Sequence, residues 1–181
     1  MSRGFEPGDK VSSFELPNAN SQVIQATISL ESIVTDVGAI IVFTCNHCPY
    51  VIGNESRIES IAHKARLNGI GFVGINSNDP INYPTDNWDS MTIRAEKMSY
   101  AYLHDASQQI AKNWGAERTP EFYLIDHNNI LRYRGRLDDS PKDPSLATTN
   151  ELNDAIDAIL NGETPSVQRT DSIGCSVKWK V

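Results

Sequence analysis

The stretch Gly38-Ala-Ile-Ile-Val-Phe-Thr-Cys-Asn-His-Cys-Pro49 carries a continuous apolar run straight into two cysteines three positions apart. A run of this length with β-branched residues predicts a strand buried on both faces. Ile58, Ile61, Ala62 and Ala65 follow at i, i+3, i+4 and i+7, which predicts a helix closing near Gly69. Ile70 to Ile75 then reads as a second buried strand. The unit is strand, helix, strand, with a right-handed parallel crossover expected, and it presents the cysteine pair at the carboxyl end of its first strand. The chain has three cysteines in all, an odd and small number unlike a disulfide-stapled scaffold, so the pair points to catalysis or metal binding.

Working outward, Phe14-Glu-Leu16 and Val23-Ile-Gln-Ala-Thr27 flank a turn and predict an N-terminal hairpin. Residues 76–89, rich in Asn, Asp and Pro, read as a long loop, and Met91 to Met98 as a helix. Asp105-Ala-Ser-Gln108 resembles a capping box that opens a short helix through Ile110, Ala111 and Trp114, ended by Gly115. Glu121–Ile125 and Ile130–Tyr133 flank Asp126-His-Asn-Asn129, the signature of a hairpin. Thr148-Thr-Asn-Glu151 is a second candidate capping box, before a helix with Leu152, Ala155, Ile156, Ile159 and Leu160 on one face. The tail from Glu163 to Val181 is too short for a domain, and its alternation over Ile173–Trp179 predicts a short strand.

With 181 residues the leading expectation is a single domain. A net charge of −7 without any block of like charges argues against nucleic acid or an anionic membrane as the main partner. No apolar run approaches the roughly 18 residues of a membrane span, and Met1-Ser-Arg-Gly-Phe-Glu-Pro7 lacks the layout of a secretory signal. The cytoplasm is the expected compartment.

The order strand, CxxC, helix, strand, helix, hairpin, helix, with Thr119-Pro120 just before the hairpin, resembles the thioredoxin fold over residues 35–161. FTCNHCPYV, GINSND, ERTPEFYLID, YRGRLDDS and SIGCSVKW recur in that order in bacterial peroxiredoxin-like proteins of the thioredoxin family, related to alkyl hydroperoxide reductase and thiol-specific antioxidant proteins. The resemblance implies an α/β fold: a central mixed β-sheet flanked by helices, with an N-terminal extension (1–34) holding a β-hairpin and a C-terminal tail (162–181). It also implies that Pro120 is cis and that Thr119 and Pro120 face the cysteines as a substrate-binding element, the Thr119 backbone pairing with an extended substrate.

The chemistry of the pair gives each residue a role. A thiolate attacks a disulfide and a second thiol resolves the mixed disulfide, so Cys45 is expected to be exposed, acidified at a helix N-terminus and attacking, with Cys48 deeper and resolving. A protonated His47 would support the Cys45 thiolate. The position where thioredoxins bury an aspartate is Ala39, so proton transfer at Cys48 must use another group or water, with Glu121 the nearest candidate proton relay by sequence. For a peroxidatic reading the expected threonine would stand three residues before Cys48, and that residue is Cys45; Thr44 is one place off and Arg118 has no established spacing.

A metal site on Cys45, His47 and Cys48 would lack the usual four ligands, so no metal is expected. Cys175 is read as a buried, inert thiol of the tail strand, with a third redox thiol as the rival reading. Trp88, Trp114 and Trp179 are read as packing residues. The sequence therefore predicts a thiol–disulfide oxidoreductase without a prosthetic cofactor. Its partners would be a disulfide-containing protein or small-thiol substrate and an electron donor such as a thioredoxin or glutathione system. Alternatives are a thiol peroxidase and a redox-inert or metal-holding binding module.

Overall fold

Residues 3–181 are described in the computed structural model of the protein. The N-terminal hairpin is present, with β1 (Glu15–Pro17) and β2 (Thr27–Ser29) antiparallel and Leu16 opposite Ile28. Its second strand lies later than the Val23–Thr27 expectation for a physical reason. The Asn18 amide donates to the carbonyls of Asn20, Val23 and Gln25, so the intervening chain wraps one side chain instead of joining a ladder. A single-turn helix, α1 (Leu30–Ile33), is capped by the Ser29 hydroxyl.

The predicted central strand is β3 (Gly38–Phe43), buried along its whole length. A four-residue helix, α2 (Pro49–Ile52), follows the cysteines, and α3 (Glu55–Leu67) turns Ile58, Ile61, Ala62 and Ala65 inward as the spacing predicts. Then come β4 (Gly71–Asn76), α4 (Trp88–Ala95), β5 (Ala101–His104), α5 (Gln109–Trp114), β6 (Arg118–Thr119), β7 (Glu121–Asp126), β8 (Leu131–Gly135), α6 (Glu151–Leu160) and β9 (Cys175–Ser176). The main sheet is ordered β5-β4-β3-β7-β8. β3 pairs parallel with β4 and antiparallel with β7, so the sheet is mixed.

Alternation along β3 explains the layering. Ile40 and Val42 join Phe122, Leu124 and Tyr133 against the inner faces of α3 and α6. Ala39, Ile41 and Phe43 join Tyr123, Ile125 and Leu131 on the other face, against Leu30 of α1, Trp114 of α5 and the N-terminal segment.

Several expectations are corrected. β5 has no counterpart in the sequence pattern: Ala101–His104 is four residues long and begins three residues after the Met91–Met98 stretch that reads as helix. Helix α4 begins earlier, at Trp88, because the Asn87 side chain accepts from the Ser90 N–H and caps it there. Neither proposed capping box caps its helix. Gln108, not Asp105, precedes α5, in the left-handed region at φ 64°, and Asn150, not Thr148, precedes α6. The loop at 76–89 is anchored from within, Asn76, Ser77, Asn78, Asp79 and Asp86 being buried, while Ile81 and Tyr83 between them are exposed.

Candidate active site

The cysteine pair sits where β3 ends and α2 begins, as the parallel β3–β4 unit requires. Pro49 occupies the first position of α2, where its missing N–H leaves no hydrogen bond unmade. Cys48 is thus the residue that caps α2, and Cys45 lies three residues earlier. The Thr119–Pro120 peptide bond is cis. Thr119 meets both sulfurs: its Oγ1 lies 3.3 Å from Cys45 Sγ, and its carbonyl oxygen lies 3.3 Å from Cys48 Sγ.

Both cysteines are fully buried, against the expectation of an exposed Cys45. The reason is the tail. β9 pairs antiparallel with β6, setting Cys175 opposite Thr119, so the backbone edge expected to receive substrate is filled by the chain itself. Cys175 packs against the pair and is half-buried rather than enclosed, which also corrects its reading as a sequestered thiol.

The surroundings divide the two sulfurs. The Cys48 thiol is lowered from its ordinary value, first by the hydrogen bond with Cys45, then by the Cys175 side chain and N–H and the Val51 N–H, with burial opposing. The Cys45 thiol is raised by that same hydrogen bond, by burial and by the Asp86 carboxylate, while the Thr119 hydroxyl opposes. The Thr119 carbonyl accepts from a Cys48 thiol and so disfavours its anion, but donors from three residues outweigh it. These directions favour the anion on Cys48 over Cys45, whereas the sequence analysis expects Cys45 to be the acidified thiol.

Beneath the spacer lies Asp86, a residue of the 76–89 loop that is completely buried. It accepts from the Asn46 N–H at 2.7 Å, from the Asn76 amide at 3.0 Å and from the Asn78 amide at 3.0 Å. Its second oxygen lies 2.5 Å from His47 Nδ1. The His47 ring also stacks on Tyr83, with centroids 5.7 Å apart. Asn46 is fixed further by the Tyr102 hydroxyl, which donates to its Oδ1 at 2.7 Å. His47 is therefore oriented toward a carboxylate. Cys45 Sγ, a His47 nitrogen and an Asp86 oxygen lie within 4.8 Å of one another, three atoms that could hold a metal ion. Cys48 is not part of that set, and Asp86 is already engaged by four partners.

Glu121 is not brought to the sulfurs. Its carboxylate takes the Arg134 guanidinium at 2.8 Å and the Glu117 N–H at 2.8 Å, and both charged residues are buried. Arg118 is exposed and donates to the Gly174 carbonyl at 3.0 Å, holding the tail. Ala39 is core, as its residue type requires. Of the tryptophans, Trp114 is fully buried, while Trp88 and Trp179 are partly exposed. No helix among the described residues is long and apolar enough to cross a membrane.

Residues 6–154 match the family model described as Redoxin. No curated protein sequence matches the chain. Among solved structures, an uncharacterized conserved protein from Geobacillus kaustophilus is 35% identical with a TM-score of 0.90, covering 98% of this chain and 94% of that one. A hypothetical protein from Sinorhizobium meliloti is 30% identical with a TM-score of 0.88, covering 99% and 97%. A peroxidoxin from Mycobacterium tuberculosis shares the fold at 18% identity, with a TM-score of 0.59 over 87% of this chain and 97% of that one. The chain belongs to the redoxin family and has the thioredoxin fold.

Proposed function

We propose that this redoxin-family oxidoreductase is a thiol–disulfide oxidoreductase whose redox group is the Cys45–Cys48 pair. One observation carries the reading: two sulfurs three residues apart both meet Thr119, and the hydrogen bonds around them lower the Cys48 thiol while raising that of Cys45. In that state one cysteine is a nucleophile and the other a proton-bearing resolver. The Cys48 thiolate attacks a substrate disulfide, forming Cys48–S–substrate and releasing a substrate thiolate. Cys45 then attacks Cys48 Sγ, closing the Cys45–Cys48 disulfide and releasing the second substrate thiol. Its proton leaves toward Asp86 and His47, whose ring reaches the surface, so Asp86 takes the relay position first given to Glu121. Substrates are disulfides of proteins or small thiols, and a dithiol or thiol donor returns the electrons.

A second reading, thiol peroxidase, is favoured by the charge on Cys48, the cysteine that matches the peroxidatic position. Cys48 would attack a peroxide oxygen, breaking the O–O bond and releasing water or an alcohol to give a sulfenic acid, and Cys45 would condense with it, forming the disulfide and releasing water. Cys45 in place of the threonine and Arg118 turned to the tail count against it.

Trapping separates these roles. Cys45→Ser/Cys175→Ser should accumulate a mixed disulfide with a model disulfide, and Cys48→Ser/Cys175→Ser should accumulate none. The opposite pattern would return the attack to Cys45. Peroxide consumption as fast as disulfide reduction, abolished by Cys48→Ser alone, would make peroxidase the better name.

A further inference from the structure

Cys175 is the one cysteine with solvent access, and the strand that bears it is what covers the other two. An extended segment laid along the Thr119 edge, with a cysteine opposite the catalytic pair, has the arrangement of a bound peptide substrate. Here that segment is β9. Its fit is close: a Cβ on Gly174 would fall 2.1 Å from the Thr119 carbonyl oxygen, so only glycine lets the strand lie so near. The fold also grips the strand downstream. The Val177 N–H reaches the Glu117 carbonyl at 3.0 Å, and the Lys178 N–H reaches Asn78 Oδ1 at 2.9 Å. The Lys178 carbonyl accepts from the Asp79 N–H at 2.8 Å and from the Gln108 amide at 2.8 Å. Gln108 and Asn78 are buried polar residues whose amide groups hold the tail as well as a nearby partner, Ser77 and Asp86 respectively.

We propose that β9 is an internal substrate strand, with Cys175 relaying the disulfide between the buried Cys45–Cys48 pair and thiol partners in solution. The proposal rests on the dithiol reading above. Starting from the Cys45–Cys48 disulfide, the Cys175 thiolate attacks Cys48 Sγ. The Cys45–Cys48 bond breaks, a Cys48–Cys175 bond forms, and Cys45 leaves as a thiolate that takes up the proton lost by Cys175. A dithiol reductant then attacks Cys175 Sγ, the half-exposed sulfur, and Cys48 departs as a thiolate. The reductant's second thiol resolves its bond to Cys175, so two electrons enter and the reductant leaves as a disulfide. A cleft of about 460 Å³ bordered by Tyr50, Arg118, Arg169 and Gly174 opens beside the strand.

The charge pattern suits this order. In the reduced protein Cys175 is held above its ordinary value by burial and then by its contact with Cys48, with Lys178 and Arg118 opposing. Once Cys48 is in a disulfide its share of that effect is gone, and only burial, opposed by Lys178 and Arg118, still holds the Cys175 thiol up.

Disulfide mapping of the full-length protein after mild oxidation with diamide tests the contact, and the rate of re-reduction by reduced thioredoxin tests the relay. Cys45→Ser should form a native intramolecular Cys48–Cys175 bond. Cys175→Ser should still close Cys45–Cys48, but its re-reduction should slow by about tenfold or more, because a hydroxyl cannot exchange. Cys175→Ala should behave alike. Absence of the Cys48–Cys175 bond in Cys45→Ser, or re-reduction of Cys175→Ser at the wild-type rate or faster, would overturn the relay and leave β9 a cover that moves aside. Failure of Cys175→Ser to close Cys45–Cys48 at all would instead sink the dithiol reading, and the relay with it.

Discussion

At the scale of single residues, the site turns on which sulfur holds the charge. Three residues donate to Cys48 and a carboxylate faces Cys45, so the reduced protein should keep a thiolate as the pH falls below the ordinary thiol range. The ultraviolet thiolate absorbance, titrated downward, should persist in wild type and vanish in Cys48→Ser. Persistence in Cys48→Ser would put the charge on Cys45. The two spacer partners should act with opposite signs on the potential. His47→Ala removes the hydrogen-bond partner of the Asp86 carboxylate beside the cysteine pair, disfavours the dithiol form and lowers the potential; Asp86→Asn removes that negative charge and raises it. Shifts on the order of 30 mV, equivalent to about 1.4 kcal/mol for a two-electron couple, are expected in a glutathione titration, and shifts of the same sign would contradict this electrostatic account. Cys45, His47, Cys48, Thr119 and Pro120 were legible in the sequence because their chemistry depends on local spacing and on one family pattern. Asp86 was not: an aspartate in an Asn- and Pro-rich segment reads as solvated until long-range packing buries it against Asn46, Asn76 and Asn78.

At the scale of elements, strongly periodic segments declared themselves. β3, α3, the β7–β8 hairpin and α6 depend on side-chain patterns that any window of sequence contains. β5 is four residues long and leaves no period to detect, and the two candidate capping boxes use their side chains differently: Asp105 accepts from the Ser77 hydroxyl and from the Ala111 N–H in the first turn of α5 while Gln108 serves the tail, and Thr148 bonds Asp139 while Glu151 takes Arg136. The tail strand itself was legible as an alternation, whereas its partner, β6, lies 56 or more residues upstream and could not be read locally. Gly174→Ala probes this pairing. The added methyl must push β9 off Thr119, removing the Cys175 donors from Cys48. Alkylation of native, reduced Gly174→Ala should label Cys175 and the pair faster than in wild type, by about tenfold or more if the cover opens freely, since exposure governs thiol access. Labelling at the wild-type rate would show that β9 keeps its place without the glycine.

At the scale of the whole molecule, two apolar layers clamp the sheet so that the ends of β3 and β7 stay fixed around the pair. Trp114 anchors the layer on the N-terminal side, with ring contacts to Phe5, Phe14, Phe43 and Tyr123. Trp114→Ala should cost about 3–5 kcal/mol. For a chain of this size that corresponds to a fall in melting temperature of roughly 6–20 °C, measurable by calorimetry. A shift of only a degree or two would mean that this layer does not hold the sheet. Resting on that scaffold, the central claim is that Cys45 and Cys48 form a reversible redox pair. The most direct test is to equilibrate the protein across a series of glutathione buffers and quantify the Cys45–Cys48 disulfide by mass spectrometry. The account predicts a single reversible two-electron transition, present in wild type and Cys175→Ser and absent in Cys48→Ser; an absence of the Cys45–Cys48 disulfide in wild type at every potential would contradict it.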